Sequence, residues 1–141
     1  MFRFTARRLL AALVLALTLA ACGGTSATST APKTITLNLT EFQFQPTDIT
    51  ANVGQPIKLV LKNNGTVLHD LVSMDAKVEV KAEHGAEHAM PGMADPALHA
   101  AVEAGKQSTL EFTATAPGTY TFYCTESGHQ EAGMTGKLIV K

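Results

Sequence analysis

The chain has 141 residues, enough for one domain, of which 45% are hydrophobic and 16% charged. Its formal net charge of −1 conceals a split: Arg3, Arg7 and Arg8 lie near the start, whereas from Cys22 onward eight lysines and no arginine face twelve carboxylates, a net −4. An acidic body without arginine is unsuited to phosphate polymers, so nucleic acid is excluded as a partner.

Residues 1–21 predict a lipoprotein signal peptide. Arg3, Arg7 and Arg8 form a positive start, and Leu9 to Leu19 form an apolar run shorter than the roughly 20 residues a bilayer span needs. The run ends in Leu19-Ala20-Ala21-Cys22, which resembles the bacterial lipobox, in which the cysteine sulfur carries a diacylglycerol. The resemblance implies lipidation at Cys22, with enough acyl chain for stable anchoring. Residues 22–32 then read as a flexible tether of Gly, Thr, Ser, Ala and Pro. The expected location is the cell membrane, lipid-anchored and facing the periplasm or cell exterior.

From Lys33 the pattern changes to a period of two. Ile35, Leu37 and Leu39 alternate with polar residues, as do Ile57, Leu59 and Leu61 and, further on, Leu110, Phe112 and Ala114. Tyr120, Phe122 and Cys124 share one face of a strand that begins at Gly118, and Lys137 to Lys141 predict a final strand. Turn residues separate these runs at Gly54-Gln55-Pro56, Asn63-Asn64-Gly65, Ala104-Gly105 and Pro117-Gly118. Short strands spaced by Gly/Pro turns predict an all-β antiparallel sandwich in one domain over 33–141. Residues 82–100, rich in Ala, His, Met and Glu, read as an insertion between two strands, with a short helical turn before Pro91.

The chemistry concentrates near the C-terminus. Cys124, His129 and Met134 recur at intervals of five on one loop between two strands, and His69 stands upstream near the start of another. A thiolate and two imidazoles form the donor set that copper favours, with a thioether as a weak fourth ligand. Zinc rarely takes methionine. A binuclear centre would need a second cysteine in the Cys124–His129 loop, which has none. A buried structural cysteine is the bland alternative for Cys124, and a Cys/His catalytic pair lacks an orienting partner. The chain therefore reads as an electron relay and not an enzyme.

The order His … Cys-x4-His-x4-Met, with the ladder Gly118-Thr-Tyr-Thr-Phe-Tyr-Cys124 and the run Met134-Thr-Gly-Lys-Leu-Ile-Val140, resembles the cupredoxins, the small blue copper proteins of the plastocyanin, azurin and auracyanin group. The resemblance implies a Greek-key sandwich with one type 1 copper site cycling between Cu(I) and Cu(II). Cys124, His69 and His129 would be the equatorial ligands and Met134 the axial one. It also implies electron exchange with redox proteins, such as cytochromes or membrane electron-transfer complexes, by a monomer. Asp70 departs from the pattern, since many members carry Asn after the first histidine. An Asp there is expected to accept hydrogen bonds from Thr125 and to lower the potential. His84, His88, Met90, Met93 and His99 in the insertion support an alternative, an extracytoplasmic copper chaperone or buffer.

Overall fold

A computed structural model describes residues 32–86 and 92–141. The expected signal peptide and Cys22 lie outside these residues, as do His88, Met90 and the turn before Pro91. Ten strands make up the described chain: β1 (Lys33–Thr40), β2 (Gln43–Gln45), β3 (Asp48–Ala51), β4 (Pro56–Asn63), β5 (His69–Ser73), β6 (Val78–His84), β7 (Leu98–Val102), β8 (Gln107–Ala114), β9 (Gly118–Tyr123) and β10 (Thr135–Val140). They form two five-stranded sheets, in the orders β2-β1-β4-β8-β6 and β3-β10-β9-β5-β7.

The alternation in sequence becomes the two faces of each sheet. Ile57, Leu59 and Leu61 of β4 and Leu110, Phe112 and Ala114 of β8 point inward, while Lys58, Lys62 and Glu111 point out. From the opposite sheet Tyr120, Phe122, Leu138 and Val140 meet them, with Phe44 edge-on to Phe122 at 5.1 Å between ring centres. Cys124 and Met134 belong to the same apolar cluster. The core therefore runs up to the residues expected to hold metal.

Pairing is antiparallel except at β1–β4 and β3–β10, which are parallel, so the sheets are mixed and not wholly antiparallel. After the β1–β2 hairpin the chain crosses to the other sheet as β3 and returns as β4, which brings β4 alongside β1 in the same direction. Residues 82–100 are not one loop. Their ends are strands, β6 on the edge of one sheet and β7 on the edge of the other. Both lack a strong apolar alternation: β6 is largely solvated on both faces, and β7 is built on small alanines.

Gly136 marks the tightest approach beside the site. A Cβ there would stand 2.3 Å from the Thr47 carbonyl oxygen and 2.4 Å from the Phe122 ring. Neither neighbour yields easily, since one is backbone and the other is wedged against Phe44. Gly136→Ala is expected to destabilise the domain by about 1–3 kcal/mol in urea unfolding, and a loss below about 0.5 kcal/mol would contradict this packing.

Candidate metal centre

Strand parity delivers the thiol. Tyr120 and Phe122 face the core from β9, and Cys124, two residues on, continues that face with no exposed surface. His69 opens β5, which runs antiparallel to β9 and so starts at the end where β9 finishes. The turn before His69 is shaped by Asn63, a buried polar residue in the inward series of β4. Its Oδ1 accepts from Gly65 N at 2.8 Å, and its Nδ2 donates to the carbonyls of Val67 (2.7 Å) and Val102 (2.9 Å). Asn63 had a legible signal, a polar side chain where alternation calls for an apolar one.

His129 and Met134 come from the loop joining β9 to β10. His129 N donates to Glu126 O, Met134 N to His129 O (2.9 Å), and Cys124 N to Met134 O (3.1 Å). The last bond joins the two ends of the loop, fixing the backbone of all three residues relative to one another. Gly133 sits at φ 101°, which a side chain would strain, just where the chain turns Met134 inward. Met134 is fully buried and His129 nearly so, 6% exposed.

The donors converge. Cys124 Sγ lies 3.8 Å from Nδ1 of His69 and 3.8 Å from Nδ1 of His129, and ligand atoms of the three residues all fall within 4.8 Å of one another. A point equidistant from three such atoms is about 2–2.5 Å from each, the length of a first-row metal bond to nitrogen or thiolate. Among the described residues this is the one cluster of three such donors that could hold an ion. The donor set fits copper, and Met134, buried at the loop's end, is the residue expected as the weak fourth ligand. Burial pushes the Cys124 thiol up to about 12, and burial followed by the neighbouring His129 ring holds His69 below the usual imidazole range. Without metal the site is thus a neutral thiol beside a neutral His69 imidazole, and binding a cation there must release the thiol proton.

Asp70 follows His69 and is fully buried. Its Oδ1 accepts from Thr125 N at 2.6 Å and its Oδ2 from the Thr125 hydroxyl, as the sequence led us to expect. The carboxylate thereby ties the His69 strand to the residue after Cys124. His99, on β7, places Nε2 at 4.0 Å from Asp70 Oδ2 and Nδ1 at 3.9 Å from Glu83 Oε1, so it faces carboxylates and not the thiol. The other described insertion residues are not gathered: His84 ends β6 at the surface, and Met93 is exposed beside the ligand loop.

Comparison with known proteins agrees with this geometry. Residues 32–141 match the family described as copper binding proteins, plastocyanin/azurin family. The copper-resistant cuproprotein CopI of Rubrivivax gelatinosus is 35% identical over 101 residues, covering 70% of this chain and 60% of that protein's length. Auracyanin-A of Chloroflexus aurantiacus is 32% identical over 147 residues, covering 89% of this chain and 90% of its own. The solved structure of auracyanin A, titled a "blue" copper protein, superposes with a TM-score of 0.60 at 24% identity over 78% of this chain and 99% of that one.

Two outcomes follow from this site. In a copper-free chain carrying Cys22→Ser, the Cys124 thiol is expected to react with a disulfide reagent at pH 8 about a hundredfold more slowly than a small free thiol. A rate near that of the free thiol would contradict its burial. Asp70→Asn is expected to raise the reduction potential by on the order of 50–100 mV in protein-film voltammetry, through removal of a buried negative charge. An unchanged potential would show that this charge is already compensated.

Proposed function

The chain belongs to the plastocyanin/azurin family of copper-binding proteins, and on that footing we propose that it is a one-electron carrier and not an enzyme. Bound copper supplies the Cu(I)/Cu(II) couple, and the protein's part is to make that couple fast. The observation that carries the reading is the convergence of one thiol and two imidazoles in a buried pocket whose backbone is already hydrogen-bonded in place. Two of the donors are held by a closed loop and one by the start of a strand, so little moves when charge changes. The apolar cluster around Cys124 and Met134 keeps water from these donors and lowers the solvent contribution to reorganisation. The ring of His129, nearest the surface of the three donors, is the route by which electrons enter and leave.

In this reading Cys22 carries the lipid, and the tether of residues 22–32 lets the domain reach partners on the outer face of the cell membrane. Confinement to that surface raises the effective concentration of membrane electron-transfer complexes and cytochromes. Auracyanin-A, 32% identical over nearly the whole of both chains and titled in its solved structure a "blue" copper protein, supports this reading.

A second reading is favoured by one finding, the 35% identity to a protein named as a copper-resistant cuproprotein. In that case the same ligands would sequester copper, with the His/Met-rich segment as its collector. Voltammetry and visible absorption separate the two. The copper-loaded carrier is expected to hold one copper per chain, absorb strongly toward the red and give a reversible one-electron wave, with Cys124→Ser abolishing both signals. A colourless copper protein without a reversible wave would defeat the carrier reading in favour of sequestration.

A further inference from the structure

The two-residue turn between β1 and β2 consists of Glu41 and Phe42, and its two side chains reach different ligand-bearing segments. Oε1 of Glu41 accepts from Thr66 N at 2.5 Å and from the Thr66 hydroxyl at 2.9 Å. Thr66 lies in the turn leading to His69, so Glu41 fastens that turn to the β1–β2 corner. These bonds, the one from the Thr66 backbone above all, hold the Glu41 carboxyl down at about 2, and it stays ionised at neutral pH.

The same oxygen also approaches His69. It lies 2.8 Å from the point where a Cβ on Gly65 would stand, and His69 Nε2 lies 2.7 Å from that point. Carboxylate oxygen and imidazole nitrogen therefore lie no more than about 5.5 Å apart, on either side of a space that glycine leaves open. Because His69 turns Nδ1 toward Cys124, Nε2 carries the proton in the ligating form. Nε2 is buried and has no hydrogen-bond partner among the described residues. Glu41 makes no hydrogen bond to Nε2, so its hold on the ring is electrostatic and through Thr66.

Phe42 serves the other ring. It is half-exposed, and its φ of 66° is the one positive value among the described non-glycine residues. The second position of such a turn ordinarily holds Gly or Asn, so a phenylalanine there is disfavoured both by its backbone and by its exposure. What the position achieves is an edge-on contact with the His129 ring, 5.0 Å between centres at 72°. The His129 ring in turn lies 5.0 Å from that of His69.

We propose that Glu41 and Phe42 are positioning residues for the copper ligands, Glu41 orienting His69 through Thr66 and across Gly65, and Phe42 orienting His129, so that one hairpin turn clasps both imidazoles and slows loss of the metal. The proposal rests on copper binding by His69, Cys124, His129 and Met134, and it holds for a carrier or a sequestering protein alike.

The test uses the full chain loaded with copper, as native protein and as Glu41→Gln, Phe42→Gly and Glu79→Gln, the last an exposed carboxylate on β6 serving as control. Three quantities are read: release of copper to excess bicinchoninate, the EPR spectrum of the Cu(II) form, and the melting temperature of the copper-free form. Glu41→Gln and Phe42→Gly are expected to release copper about tenfold faster, with shifted EPR parameters, and the control to match native protein. Glycine at position 42 relieves the strained φ, so that variant should melt within a few degrees of native while still losing copper faster. Release within twofold of native for both variants would overturn the proposal. So would faster release accompanied by an unchanged EPR spectrum and a matching fall in melting temperature, since that pattern marks a merely structural turn. A native protein that retains no copper would instead sink the ligand assignment itself.

Discussion

The structure depends on keeping a cysteine thiol and two imidazoles together inside an apolar core. Without a metal the charged forms are disfavoured there: burial above all pushes the thiol up to about 12, and burial with the neighbouring His129 ring disfavours the charged form of His69. A bound cation reverses the balance, because a thiolate beside a metal no longer needs water. The protein makes this placement tolerable by building the pocket from backbone it already requires, namely the inward face of β9, the first residue of β5 and a loop closed by the Cys124–Met134 hydrogen bond. Metal affinity and fold stability therefore draw on the same contacts.

Around the donors stands a ring of polar contacts that aim them. Asn63 shapes the turn before His69, Asp70 ties His69's strand to Thr125, and Glu41 holds Thr66 from outside. All three join a β-strand or its turn to a ligand-bearing segment, so the orientation of the imidazoles is set by the sandwich and not by the loops alone. Asp70 adds a buried negative charge to this ring, which distinguishes the site electrostatically from one carrying Asn. Auracyanin A, titled a "blue" copper protein, shares the sandwich that carries this ring.

Much of this was legible in the sequence, for physical reasons that differ by element. β1, β4, β8, β9 and β10 have one face against the core and one against water, and their alternation shows it. The short β2 and β3 carry too few residues for a period to register, while the edge strands β6, largely solvated, and β7, short and without apolar–polar alternation, leave 82–100 to read as an insertion. His69, Cys124, His129 and Met134 were legible because three sit on one loop at regular spacing and their donor atoms suit one metal; the structure brings the two histidines and the thiol together. Glu41 and Phe42 were not, since a Glu-Phe pair in a turn carries no pattern. Their role depends on the parallel pairing of β1 with β4, which brings the end of β1 beside the turn that leads to His69.

The central claim is a pocket organised before the metal arrives and unchanged by its redox state, with the Cys124 sulfur as the dominant donor. X-ray absorption at the copper edge, recorded on the oxidised and the reduced protein, tests it most directly. The account predicts one short copper–sulfur bond and two copper–nitrogen bonds in both states, with only slight lengthening on reduction. A spectrum lacking the short sulfur bond, or one in which a nitrogen ligand is lost on reduction, would contradict it.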